Sequence, residues 1–173
     1  MNLQTKRLQL RPIEAKDLND YFEFYQLDSV CQYLPNEPWT PENKTENFES
    51  TLSSTNLENG SKLLLSVIYQ EKAIGVIFIM PDEMIDTFEI GYVFNPTFSK
   101  QGFAFEAVSA TFDYLFQIIK AHRVFANLDT RNIASMKLCE KLGMRQEAHY
   151  MEDYWLKGEW TDSYIYGILN REW

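Results

Sequence analysis

Ser99-Lys100-Gln101-Gly102 separates an apolar strand pattern ending near Phe94 from a helical pattern opening at Phe103. A strand that stops at Asn95-Pro96 and restarts as a helix after Gly102 leaves backbone N–H groups without acceptors at the helix start, where the helix dipole is positive. Such a junction can hold an anion. Gly102 lets a phosphate approach the backbone, and Lys100 adds a cation in the same turn. Local donors of this kind outweigh a distant net charge that salt screens over about 10 Å. Without a ligand, the same turn reads as an ordinary strand-to-helix connection.

Few other residues offer reactive chemistry by spacing alone. Counting by twos, Glu89 shares a strand face with Gly91 and Val93, while Phe88, Ile90, Tyr92 and Phe94 lie opposite. A carboxylate there can accept a proton or simply be solvated. His122 and His149 have no Asp or Ser partner nearby in sequence, so a histidine-dependent mechanism is not supported, and neither is a metal site. Cys31 and Cys139 are far apart and outside any C-x-x-C pair, and both read as buried reduced thiols.

These residues need elements to position them. Thr5 to Ile13 alternates as a half-exposed strand, with Leu8 and Leu10 on one face and Arg7, Gln9 and Arg11 on the other. Lys16 to Leu27 has helical spacing, Asp28 to Leu34 suggests a short second helix, and Thr40-Pro41 look like the start of a surface helix running to about Thr55. Three strands follow at Leu63–Tyr69, Ala73–Met80 and Asp86–Phe94. The spacing predicts an amphipathic helix over Phe103–Ile119, a strand at Arg123–Asn127 and a helix at Asn132–Leu142 stopped by Gly143. A final hairpin, Met144–Trp155 with Trp160–Leu169, turns at Lys157-Gly158-Glu159. The order implies an α/β (α+β) fold with helices on the faces of a sheet.

With 173 residues and 45% hydrophobic content, the chain suits one sizeable core, so residues 1–173 are expected to form a single domain. A formal charge of −9 argues against a nucleic-acid surface, which needs clustered Lys and Arg, and favours a cationic partner if the partner is charged. No long apolar run or signal-like start occurs, so no membrane association and a cytoplasmic location are expected.

Four segments together resemble the GCN5-related N-acetyltransferase (GNAT) superfamily, in the branch of enzymes that acetylate the amino termini of ribosomal proteins. They are Thr5-Lys6-Arg7-Leu8-Gln9-Leu10-Arg11-Pro12, Glu89-Ile90-Gly91-Tyr92 through Gly102-Phe103-Ala104-Phe105-Glu106-Ala107, Asn132-Ile133-Ala134-Ser135 with Glu140-Lys141-Leu142-Gly143-Met144, and Gly158-Glu159-Trp160-Thr161-Asp162. The resemblance covers nearly the whole chain. It implies a mixed, mostly antiparallel, twisted sheet of about seven strands with helices on both faces, and acetyl-CoA as the acetyl donor. The turn departs from the family pattern: Ser99 stands where Gln or Arg is usual, and Lys100 where Gly is common.

By the same resemblance, the backbones of Lys100, Gln101, Gly102, Phe103 and Ala104 would cradle the pyrophosphate. Val93 and Phe94 would pair with the pantetheine arm, where their strand splays from Arg123–Asn127. Asn132 would bond the pantetheine amides, though it also reads as a plain helix cap. Ser135 would reach the thiol sulfur, though it also reads as a small packing residue. Acetyl transfer needs a neutral amine and a proton donor for the thiolate, and Glu89 is the candidate base or amine-positioning group. Tyr33, Trp39 and the hairpin aromatics Tyr150, Tyr154, Trp155, Trp160, Tyr164 and Tyr166 are candidates for the acceptor pocket, and the hairpin admits a homodimer. Three functions compete: a protein amino-terminal acetyltransferase, an acetyltransferase for a small amine such as a polyamine, amino acid or aminoglycoside, and a non-catalytic acyl-CoA-binding module.

Overall fold

The alternating apolar runs pair into a single eight-stranded sheet, in a computed structural model that describes residues 2–52, 54, 57 and 61–173. The strands are β1 (Leu3–Gln4), β2 (Gln9–Pro12), β3 (Leu63–Tyr69), β4 (Lys72–Pro81), β5 (Thr87–Phe94), β6 (Arg123–Asp129), β7 (Arg145–Leu156) and β8 (Glu159–Leu169). Their order across the sheet is β1-β2-β3-β4-β5-β6-β8-β7. Every pairing is antiparallel except β5 with β6. The sequence predicts about seven strands. The eighth is the two-residue β1, set apart where the Thr5 hydroxyl accepts the Leu8 N–H at 2.9 Å and turns the chain.

Helices cover both faces. Helices α1 (Leu18–Tyr25), α2 (Asp28–Cys31) and α3 (Lys44–Glu49) enclose one core, with Tyr21, Phe24 and Phe48 packed on Leu64, Val76 and Val93. Helices α4 (Phe103–Asp113) and α5 (Ile133–Lys141) enclose the other, with Val108 and Phe112 among Leu65, Ile77 and Ile90. Burying one such side chain contributes roughly 1.5–3 kcal/mol. The stripe predicted for Phe103–Ile119 is present, but its last turns, Tyr114–Ile119, widen into a π-helix that ends at left-handed Lys120. Helix α3 starts later than predicted because the Asn43 side chain accepts the Thr40 N–H at 2.8 Å and holds a turn ahead of it. Thr55, where that helix was expected to end, lies outside the described residues.

Arg11 departs from the half-exposed strand face expected of it. It is buried, with Nη2 2.7 Å from Asp17 Oδ1 and Nη1 2.8 Å from Asp17 Oδ2, and the Ser66 hydroxyl donates to the same carboxylate at 3.0 Å. Packing of α1 over this part of the sheet turns a nominal surface position into an ion pair inside the core.

Two features of the sheet matter most for a site. β5 and β6 share only three pairs, Thr87–Arg123, Phe88–Val124 and Glu89–Phe125. Beyond them β5 stays with β4 as far as Gly75–Phe94, and β6 stays with β8 as far as Asp129–Ser163, so the two strands diverge. Gly75 keeps the first arm together: a Cβ there would lie 2.6 Å from the Phe94 ring and 2.7 Å from the Val93 carbonyl oxygen. The second feature is the terminal hairpin. Lys157 and Gly158 both have positive φ, the two-residue turn whose twist matches the flanking strands. A bulge between Tyr150 and Tyr154 then re-aims the outer strand, and there the Glu152 N–H donates to Asp162 Oδ1 at 2.8 Å.

Candidate active site

The divergence of β5 from β6 opens a cavity of about 630 Å³ that runs through the sheet. Glu89 to Val93 line one side of it, and Ala126 to Asp129 line the other. Strand alternation sends Glu89, Gly91 and Val93 toward the α1 layer, and Ile90 and Tyr92 toward α5. The gap therefore joins the two faces of the sheet.

Glu89 reaches this cavity from the α1 side. It is partly buried and, among the described residues, forms no ion pair or hydrogen bond. Burial, and secondarily the charge of Asp82, pushes its carboxyl above the ordinary range. The group is thus a better proton acceptor than a solvated carboxylate.

Ser135 reaches the same cavity from the other side, in the first turn of α5. Its N–H donates to the Asn132 side-chain oxygen at 3.1 Å, and its carbonyl accepts the Tyr92 hydroxyl at 3.3 Å. Both backbone groups are engaged, leaving the hydroxyl as the polar group without a partner among the described residues. Asn132 caps α5, which uses its side-chain oxygen and leaves its amide donors at the cavity wall. The Tyr92 contact was missed in the sequence, where Tyr92 reads only as one of the apolar residues of its strand. A tyrosine among apolar neighbours on a helix-covered face is the available signal, because its hydroxyl needs a partner. Burial keeps that phenol protonated, and its oxygen lies 3.6 Å from the sulfur of Cys139, a buried thiol also pushed up by burial.

The anion turn lies outside the cavity, past the end of β5. Lys100 and Gly102 take the left-handed conformation, and the Glu106 N–H is the one that returns to the Gly102 carbonyl, at 3.0 Å. The N–H groups of the first turn ahead of Glu106 therefore lack intrahelical acceptors. Lys100 and Gln101 are exposed, and Ala104 is partly so. The Phe103 side chain is core, so only its backbone can serve a ligand. Phe94 likewise packs across Gly75, whereas Val93 lines the cavity.

The opening segment holds this turn in place. Arg7 Nη1 donates to the Gln101 carbonyl at 2.9 Å, Arg7 Nε to Glu106 Oε2 at 2.6 Å, and the guanidinium sits 4.3 Å over the Phe103 ring. The Thr5 hydroxyl donates to Glu106 Oε1 at 2.6 Å. Glu106, an anion beside this N–H-rich turn, is thereby paired.

The aromatic candidates divide. Tyr33, Trp39 and Tyr154 line the cavity; Tyr164 and Tyr166 do not, and Tyr150, Trp155 and Trp160 are exposed. Asp129 and Arg131 were not singled out in the sequence beyond preceding a helix cap. Arg131 grips Asp129 through two contacts, of 2.9 and 2.7 Å, and reaches Glu159 in the hairpin at 2.7 Å. Against the cost of burial, that grip holds the Asp129 carboxyl below its usual range. Among the described residues, no cluster of His, Cys, Asp and Glu could hold a metal ion, and no helix is long and apolar enough to cross a membrane.

The divergent strands, the N–H-rich turn and the cavity between them match a known class. A family model described as an acetyltransferase (GNAT) domain covers residues 7–145, and the chain belongs to that family of acyltransferases. It is 32% identical over 173 residues to the uncharacterized N-acetyltransferase YnaD of Bacillus subtilis (strain 168), covering all of this chain and 99% of that one. A GNAT-family acetyltransferase from Bacillus anthracis superposes with a TM-score of 0.89 at 30% identity, over 99% of this chain and 100% of that one. A spermidine N-acetyltransferase from Vibrio cholerae in complex with CoA and spermine superposes with a TM-score of 0.80 at 21% identity, over 97% and 98% of the two chains. At that identity, the likeness carries the fold alone.

Proposed function

We propose that residues 1–173 act as one catalytic domain that transfers acetyl from acetyl-CoA to a primary amine by direct attack in a ternary complex. One observation carries this reading. The unpartnered Glu89 carboxylate and the free Ser135 hydroxyl enter one cavity from opposite faces of the sheet, through the gap where β5 leaves β6.

Acetyl-CoA supplies the acetyl group as a thioester. The turn from Lys100 to Ala104 supports its phosphates with backbone N–H groups, and Lys100 adds charge, so Ser99 and Lys100 alter the grip without removing it. The unpaired edge of β5 at Val93 and Phe94, with the Asn132 amide, supports the pantetheine arm. Glu89 takes the proton of the incoming ammonium, directly or through water, and the amine lone pair then forms the C–N bond. As the C–S bond breaks, Ser135 gives its hydroxyl proton to the departing sulfur and takes back the remaining extra proton of the amine nitrogen, directly or through water, leaving the neutral amide and the CoA thiol. A free amino terminus has a pKa of about 7.7–8.0 against about 10.4 for lysine, so it would demand less of Glu89.

The resemblance to ribosomal-protein acetyltransferases favours a protein amino terminus as acceptor, whereas the apolar walls formed by Trp39, Phe78 and Met80 in the cavity that Glu89 lines favour a small amine. The reaction is tested by CoA release from acetyl-CoA in the presence of primary amines, with Glu89→Gln and Ser135→Ala as controls. Loss of turnover in Glu89→Gln supports the reading. Acetyl-CoA binding that persists with no turnover on any amine replaces it with a non-catalytic acyl-CoA-binding module.

A further inference from the structure

Resting on that reading, we infer that the acceptor is a small amine carrying a single positive charge on an apolar or aromatic body, in preference to a polyamine or a polypeptide terminus. Three observations on the acceptor side of the cavity converge on this.

The first is a count of available charge. Among the described residues, two carboxylates line the cavity, Glu89 and Asp129, and no Lys, Arg or His does. Asp129 is taken by the two contacts from Arg131, and its side chain is 5% exposed. Among the described residues, that leaves one carboxylate for one ammonium. A second or third ammonium on the same acceptor would lie in the cavity without an ionic partner among the described residues, and an unpaired buried charge is strongly disfavoured.

The second is the chemistry of the walls. Trp39 stacks on Tyr25 at 4.6 Å between ring centroids, and Phe78 and Met80 lie opposite Gly91 and Glu89 across the β4–β5 pair. All of them line the cavity. An acceptor whose ammonium meets Glu89 therefore places its next atoms against rings and methylenes. The volume, about 630 Å³, is in the range of small-molecule sites.

The third is a strap at the hairpin tip, beside the cavity. Lys157 at the hairpin tip donates to the Cys31 carbonyl at 2.8 Å and lies 3.6 Å from Glu37. Arg131 joins Asp129 to Glu159 of the hairpin and places its guanidinium 5.7 Å from the Tyr33 ring centroid. These contacts tie the hairpin tip to the end of α2 and the segment after it, next to the cavity walls formed by Tyr33, Leu34 and Leu156. A compact amine leaves the strap intact, whereas a polypeptide that extends past the hairpin tip must displace it.

The test compares kcat/KM on the full chain for 2-phenylethylamine, leucine amide, spermidine and a tripeptide with a free amino terminus, at fixed acetyl-CoA. The two apolar monoamines are expected to exceed spermidine and the tripeptide by about tenfold or more, the scale on which a buried site rejects a mismatched group. Lys157→Ala, which releases the strap at the surface, is expected to raise the tripeptide-to-monoamine ratio. Spermidine or the tripeptide matching or exceeding the monoamines overturns the inference, and an unchanged ratio in Lys157→Ala removes the strap from it. Glu89→Gln separates this failure from failure of the reaction itself: loss of turnover on whichever acceptor proves best keeps the acetyltransferase reading while the acceptor class falls. No turnover on any of the four overturns both.

Discussion

Asp17 and Glu89 are both carboxylates withdrawn from water on the α1 side of the same sheet, yet their surroundings are opposite. Asp17 receives both Nη groups of Arg11, the Ser66 hydroxyl and the Glu14 N–H. Burial works against its charge, but those bonds win, and its carboxyl lies below the ordinary range. Glu89 receives no such bonds among the described residues, and burial raises its carboxyl. A carboxylate whose hydrogen-bonding capacity is filled contributes to structure, whereas one left empty beside a cavity is held ready for something that arrives from outside.

Breaking the empty member should cost the most activity. Glu89→Gln keeps size and removes the proton acceptor, and turnover on any accepted amine should fall by about 10²–10⁴-fold. Steady-state CoA release measures it, and a loss smaller than threefold (~0.7 kcal/mol) would reduce Glu89 to a bystander. Breaking the filled member should cost stability instead. Asp17→Ala leaves the buried Arg11, among the described residues, with only Glu14 at 3.3 Å and the Pro12 carbonyl at 3.0 Å, and should destabilise toward the low end of about 3–5 kcal/mol in chemical denaturation, while Arg11→Met with Asp17→Leu should recover much of that. If the single and double variants are equally unstable, the pair owes its role to packing and the contrast with Glu89 weakens.

Ser135→Ala should slow turnover on the order of tenfold, less than loss of the base, because a thiol with a pKa near 8.5 departs readily. The effect should appear in kcat with little change in KM for acetyl-CoA. The smallest expected effect concerns stability and pH. The folded carboxyl of Glu89 lies above its unfolded value, so its ionised form at neutral pH costs stability, and the cost vanishes once it is protonated in both states. Glu89→Gln should therefore melt slightly higher than the parent at neutral pH, with the difference closing below about pH 4. For Asp17 the sign reverses: its folded carboxyl is lowered, so its contribution is present above the unfolded pKa and is lost as pH falls through the folded one.

How far the site could be read from sequence follows the range of the interactions involved. The turn at Gly102, the cap at Asn132 and the Lys157-Gly158 hairpin are local, each set by the φ preferences and hydrogen bonds of a few consecutive residues, and each lies where the pattern puts it. Even the face occupied by Glu89 follows from the period of a strand. The Arg7–Gln101, Tyr92–Ser135 and Lys157–Cys31 contacts join residues 94, 43 and 126 positions apart. No pattern along the chain specifies such pairs.

On its own, then, the sequence determined the order and type of the elements and the glycine turn ahead of the helix, because periodicity and backbone preference act within a few residues; the grouping of Glu89, Asn132 and Ser135 came from the family resemblance of their segments. Tertiary structure alone decided that β5 and β6 part after three pairs, that Arg11 is buried while the Glu89 side chain is left without a partner among the described residues, and that Arg131 pairs with Asp129 at the cavity wall. Those outcomes depend on which surfaces meet when distant segments pack, and the burial that perturbs a carboxylate exists only after they have met.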